Sequence, residues 1–306
     1  MKITTTILCL GICTFSSCAI NYLQLNSSHL QPAIVAFEAE DYELCEDLLE
    51  QYQLDDFILG AQHELAFMRG MSAHHQQHIS TATTWLLDYL AMPGAVPARM
   101  RIAEQVLLDN AELYIDGSIR VLWLFTSPSN GYSILEDLAF LASSVEVQAQ
   151  SIARTAEYYF SNKRYKKAVN YYSMLLNPRY AALGWNDRAT YRFAECRYLI
   201  LVPEKSDEQS IMFAINSARS YLDAYPAGLN RVEATAILDD CLSRLSQLHL
   251  TIAEYYVTIG NDIGAIHHFK LASGQESQGE TSMAEIVPAS NEFAQQAAMR
   301  LNAYAD

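Results

Sequence analysis

Residues 249–272, HLTIAEYYVTIGNDIGAIHHFKLA, hold two apolar stripes at helical spacing with a glycine between them. Leu245, Leu248, Ile252, Ala253 and Tyr256 lie along one stripe, and Ala265, Ile266, Phe269 and Ala272 along the other. A helix that ends at Gly260 needs a residue that accepts positive φ, which glycine does without steric cost. Asn261 or Asp262 can then cap the next helix through a side-chain oxygen. Ala253 and Ala265 are small where the two helices would cross, so the axes can approach to about 8–10 Å. The stretch is therefore expected to form a helical hairpin, and Gly260 to be its joint.

The same grammar recurs in ARTAEYYFSNKRYKKAVNYYSMLLNP, residues 153–178. Aligned on Ala168 and Ala265, Ala156 matches Ala253, Tyr159 matches Tyr256, and Tyr172 matches Phe269, with Tyr165 opening the second helix and Asn162 read in the glycine's place. Between the two units, DRATYRFAECRYLIL and EQSIMFAINSARSYLDAYP supply a further helix pair joined by VPEKSD. Upstream, YELCEDLLEQY reads as a second helix, with Tyr42, Cys45 and Leu49 in the Tyr, Ala and Phe positions and its first helix curtailed by Pro32. Helices follow at about 56–70 and 79–90, then a longer pair at 98–125 and from Ile134, with VLWLF at 121–125 as buried core. Pro93, Pro97, Pro128, Pro178, Pro203, Pro226 and Pro288 read as helix stops. Helix pairs of about 34 residues with these small and aromatic positions match the tetratricopeptide pattern. The fold class expected is all-α, a right-handed superhelical solenoid of stacked helix hairpins.

From about Ser151 onward the order of features resembles BamD, the tetratricopeptide lipoprotein family of bacterial outer-membrane protein assembly. The resemblance is carried by KRYKKAVNYY, then ARSYLDAYP, then the long ATAILDDCLSRLSQLHLTIAEYYVTIGNDIGAI, and most specifically by Ala253, Glu254, Tyr255, Tyr256, Gly260 and Ala265. The closing VPASNEFAQQAAMRLNAYA is similar to that family's final helix, although Val287-Pro288 stands where a Tyr-Pro stop is usual and SGQESQGETSMAE inserts a polar loop. Residues 30–150 read as divergent repeats and 151–306 as the BamD-like region. The resemblance implies a non-catalytic scaffold on the periplasmic side of the outer membrane, partnered with a β-barrel assembly subunit. A tetratricopeptide envelope protein that coordinates peptidoglycan or other periplasmic enzymes stays open beside it.

The beginning of the chain agrees with export. MKITTTILCLGICTFSS, residues 1–17, has one lysine, a short apolar run and small residues, and Cys18 follows in FSSC, which resembles a lipobox with Phe15 in place of the usual Leu. Cys18 is the expected lipidation site, and residues 18–29 a polar tether to the membrane. The apolar run is too short to span a bilayer. Cys45, Cys196 and Cys241 stand at irregular spacing among apolar helical positions and read as small buried hydrophobes.

Half of the 306 residues are apolar (51%), enough for a substantial core, and the net charge of −15 argues against binding nucleic-acid phosphate or an anionic lipid surface. Charge is uneven: no Lys or Arg occurs from Ile3 to Met68, against ten acids, whereas half of the basic residues fall between Arg154 and Lys205. The acidic region and the basic turn Lys163, Arg164, Lys166 and Lys167 are candidate docking faces for proteins, against the alternative of solvated helix faces. In repeat register, Glu157 and Phe160 in one unit and Leu250, Glu254 and Val257 in the other are candidate groove-facing residues. For Phe160 and Leu250, packing against the next repeat is equally open.

Chemical sites find little support. His74 and His78 in AHHQQH are four apart, as in a zinc pair, but no third ligand is evident and the stretch reads as a joint after Gly70. His267 and His268 are about 100° apart on a helix and read as a solvated face, with His249 a whole helix away. No GxSxG, GxGxxG or GxxxxGK motif occurs. No enzyme activity, cofactor, metal or nucleic-acid partner is expected.

Overall fold

A computed structural model describes residues 25–121, 125–202, 205–275 and 291–305. Cys18, the signal-like residues and most of the polar insertion after Ser273 lie outside them. The described chain is all-α apart from two two-residue strands and one isolated bridge, and its contacts divide it into two units, Met1–Trp85 and Leu86–Asp306. Residues 86–150, read with the N-terminal repeats, thus group with the C-terminal unit.

In the first unit, Leu25 forms a parallel bridge with Phe57 and Ser27–Leu30 forms a 3-10 turn, so these residues belong to the folded unit and not to a free tether. Then come α1 (Gln31–Glu38), α2 (Tyr42–Leu49), α3 (Leu59–His75) and the start of α4 (Ile79–Ala91). Pro32 does not curtail the first helix: it sits in the first turn of α1, where a missing N–H costs nothing. Leu30, Ala33, Cys45, Leu49, Phe57 and Leu65 close the core of this unit.

In the second unit, α5 (Pro97–Ile115), α6 (Pro128–Leu141), α7 (Val145–Ser161), α8 (Tyr165–Leu175), α9 (Asn186–Ile200), α10 (Glu208–Ala224), α11 (Arg231–Thr258), α12 (Asp262–Ser273) and α13 (Glu292–Ala305) each pack on the next. This is a stack of helix hairpins, in which α11 also touches α9 and α13. The long helix read through Phe125 ends ten residues earlier, at Ile115. Gly117 takes φ 80°, and β1 (Arg120–Val121) pairs antiparallel with β2 (Phe125–Thr126), so the backbone at Val121 and Phe125 is extended and not helical; the rest of VLWLF, 122–124, lies outside the described residues. Pro97 and Pro128 begin helices instead of stopping them, again because a first-turn residue needs no N–H partner.

One turn joins four of the described helix pairs. Glu40, Gln77, Lys163 and Gly260 take φ of 60°, 62°, 57° and 72°. In each case the next residue's N–H reaches back over the turn: Asp41 to Ala36 O (2.9 Å), His78 to Ala73 O (2.8 Å), Arg164 to Tyr159 O (2.8 Å) and Asn261 to Tyr256 O (2.9 Å). Five residues after each left-handed position stands a fully buried small residue: Cys45, Ala82, Ala168 and Ala265. Seven before it stands Ala33, Gly70, Ala156 or Ala253, also buried. The joint near the AHHQQH cluster therefore falls at Gln77 and not directly after Gly70. Lys163, not Asn162, occupies the glycine's position, since Asn162 keeps φ −86° as the last helical cap. Asn261 rather than Asp262 caps α12, its Oδ1 accepting the Gly264 N–H at 3.0 Å.

Buried polar groups lock consecutive hairpins. Glu104 on α5 is 1% exposed and accepts the N–H and hydroxyl of Ser143 at the α6–α7 joint. The Tyr221 hydroxyl donates to Asp187 (3.0 Å) and accepts from the Asn230 N–H (3.1 Å), tying α10 to α9 and to the start of α11. A buried hydroxyl satisfied on both sides, as that of Tyr221 is, helps to specify one packing.

Candidate partner-binding surfaces

The first helices α7 and α9 both pack on α8, and an open groove of about 460 Å3 is lined by residues of all three. Its floor is apolar, with Ala153, Ala189 and the buried Leu175 and Tyr172. Its rim is aromatic and ionic. Tyr132 of α6 stacks on Tyr158 (3.8 Å between centroids, 15° between planes), and Trp185 stands at the head of α9. Arg154 pairs with Glu112, and Arg188 pairs with Glu157 (2.9 Å). Tyr132, Tyr158 and Trp185 are half-buried, and together with the paired charges they give the groove a mixed apolar and ionic lining that suits stacking and hydrogen bonding.

Glu157 is thus a groove residue. It also faces Arg192 (3.8 Å) and the Tyr172 hydroxyl, whose ionisation is pushed up by burial and then by this carboxylate. Phe160 is not: it packs against the next hairpin, with the Arg192 guanidinium 4.3 Å above its ring and Tyr165 and Tyr172 edge-on. Leu250 is likewise core, 6% exposed among Ala253, Phe269 and Ala297. Glu254 and Val257 are exposed on α11, beside Tyr255 at 61%. The repeat-signature residues Ala156, Tyr159, Ala168, Tyr172, Ala253, Ala265 and Phe269 are buried at the hairpin crossings, while Tyr165 and Tyr256 are half-buried against them.

At the α7–α8 turn, Lys163, Arg164, Lys166 and Lys167 surround a second cavity of about 460 Å3 with Tyr165 and Ile200. Lys167 lies 4.7 Å from the centre of the Tyr159 ring and 3.2 Å from its hydroxyl, which also bonds Glu136. Burial, reinforced by Glu136, holds the Tyr159 phenol at about 12, so it stays protonated and can donate.

The histidines fall into a turn cluster, as expected, and a pair around the buried His249, which was not expected. His74 and His75 end α3 and His78 lies beyond the turn, so the first and last share no helix face. His268 is not on a solvated face: its Nδ1 is 3.2 Å from Nδ1 of His249, which is fully buried, and Tyr256 stacks on it at 5.5 Å. The α11–α12 hairpin folds back and brings together two residues that the sequence separates by a helix. Burial, with His268 and His267 nearby, lowers His249 to about 4. Among the described residues, no group of three or more His, Cys, Asp or Glu side chains is placed to hold a metal ion.

Cys45, Cys196 and Cys241 are buried free thiols. Burial raises all three, Cys196 and Cys241 to about 12. Among the described residues, no helix is long and apolar enough to cross a membrane.

Sequence reading overlooked Tyr132, Arg154, Trp185 and Arg188. Their signal was present: Arg188 and Arg192 are four apart on α9 and so share the face that meets Glu157. It becomes readable only once α7 and α9 are known to be neighbours. No family model matches the chain, and no curated protein matches its sequence.

Proposed function

We propose that the chain is a non-catalytic, lipid-anchored scaffold of the cell envelope, of the BamD type, that aids assembly of outer-membrane β-barrel proteins. The observation that carries the binding role is the groove between α7 and α9, where Tyr132, Tyr158 and Trp185 stand beside the Arg154–Glu112 and Arg188–Glu157 pairs. Its partner is a polypeptide. An extended segment laid between the first helices places a side chain over the apolar floor and its backbone along the ionic rim. Binding of this kind needs preorganised surfaces and no reacting group. Anchoring is assigned to acyl chains on Cys18, the β-barrel partner and the outer-membrane location to the family resemblance of residues 151–306.

Affinity purification from cross-linked membranes tests the reading. The expected result is recovery of the barrel subunit of the outer-membrane assembly machine, with Cys18→Ala releasing the chain from the membrane. Recovery of a cell-wall enzyme without the barrel subunit would overturn it in favour of a coordinator of peptidoglycan enzymes.

A further inference from the structure

Two of the four left-handed turns are charge-inverted copies of each other. The α1–α2 turn reads Glu40-Asp41-Tyr42-Glu43, and the α7–α8 turn reads Lys163-Arg164-Tyr165-Lys166 in the same positions. They share one aromatic contact, although Tyr42 is also stacked on His75 at 4.0 Å and 6°. Tyr42 meets Phe37 edge-on at 5.8 Å and 74°, and Tyr165 meets Phe160 edge-on at 5.5 Å and 64°. The six charged residues are exposed, and both turns carry the 6→1 backbone bond. Among the described residues, no ion pair uses Lys163, Arg164 or Lys166. The acidic turn continues into exposed Asp47 and Glu50, and the basic one opens on the cavity lined by Tyr165 and Ile200.

We infer that the basic α7–α8 turn is a docking site for the acidic α1–α2 turn of a second copy of this chain. Equal backbone shapes hold opposite charges at equal positions, so two turns laid face to face set Glu40, Asp41 and Glu43 against Lys163, Arg164 and Lys166. Tyr42 and Tyr165 supply the apolar contact between the charged rows. Each copy presents one turn of either sign, so the contact is heterologous and joins copies head to tail. At about 0.15 M salt the Debye length is about 8 Å, so the net repulsion between two acidic chains is screened while charges in contact still attract.

The test is sedimentation velocity of the full chain in a nonionic detergent, with two charge reversals. One variant carries Glu40→Lys and Glu43→Lys, the other Lys163→Glu and Lys166→Glu; Asp41 is left in place because it caps α2. The wild type is expected to associate in a concentration-dependent way at about 0.15 M salt and to dissociate at about 0.5 M, where screening is severe. Each variant alone is expected to associate about tenfold or more weakly. An equimolar mixture of the two should restore association, because one then offers two basic turns and the other two acidic ones. Circular dichroism matching the wild type keeps a folding defect from imitating the loss. A monomeric wild type, a variant that associates as well as wild type, or a mixture that stays monomeric overturns the inference, and each leaves the groove between α7 and α9 unaffected.

Discussion

Exchanging glycine between equivalent turns separates backbone conformation from every other contribution to the hairpin. Gly260 has φ 72°, and a Cβ added there would meet nothing within 4 Å, so Gly260→Ala loses nothing through contact. The left-handed conformation costs an L-residue about 1–2 kcal/mol. Reduced freedom of the unfolded chain returns about 0.4–1 kcal/mol of this. The net expectation is a loss of about 1 kcal/mol. Lys163 already bears that strain at φ 57° with an exposed side chain, so Lys163→Gly reverses each term and should gain about 1 kcal/mol. For a unit of this size, 1 kcal/mol moves the melting midpoint by about 2–4 °C. Thermal unfolding followed by circular dichroism should therefore show Gly260→Ala shifted down and Lys163→Gly shifted up by similar amounts. Shifts of the same sign would refute the equivalence of the two turns, and a fall for Lys163→Gly would mean that its side chain supports the fold.

His249 makes stability depend on pH: it binds a proton near 6.5 when unfolded but only near 4 when folded, so stability is full above pH 6.5 and falls as pH drops toward 4. Between pH 7 and pH 5 the loss should be about 2 kcal/mol in urea titrations, and His249→Phe should remove most of that slope; an unchanged slope would place its source elsewhere. Gly131→Ala should destabilise the second unit by about 1–3 kcal/mol, because a methyl group there would overlap the Ala111 carbonyl at the α5–α6 crossing, and an unchanged melting midpoint would contradict that crossing. Cys196 and Cys241, held at about 12 by burial, should resist a maleimide at pH 8 in the native protein and react after denaturation, as mapped by mass spectrometry; rapid native labelling would show that these positions open.

The hairpin at 249–272 was readable because its signals agree: apolar positions at three and four, small residues at the crossing, and glycine at the only place where φ must be positive. The α7–α8 turn was recognised by its side chains but misplaced by one residue. Asn tolerates positive φ and drew the reading to 162, whereas the spacing to Ala168 points to Lys163. The α3–α4 hairpin hid for a similar reason, since Gln77 holds the left-handed position without advertising it; the α1–α2 hairpin was read through its second helix, with Cys45 in the alanine position, while Glu40 concealed the joint. Prolines misled because the residue marks a helix start as readily as an end, as Pro32, Pro97 and Pro128 do. Of the groove, Glu157 was accessible from repeat register alone. Trp185 and Arg188 follow a 3-10 turn at Pro178–Leu183, so no fixed period leads to them, and the approach of His268 to His249 exists only through the fold of α11 on α12.

The central claim is that the groove between α7 and α9 receives a polypeptide. Site-specific photo-cross-linking in intact envelopes tests it most directly, with the photoreactive residue at exposed Arg188 in the groove and, as a control, at exposed Asn170 on α8. The expected result is a discrete adduct from position 188 that contains the β-barrel assembly subunit, with none from position 170. Equal adducts from both positions, or none from 188 while the chain is folded and at the membrane, would contradict it.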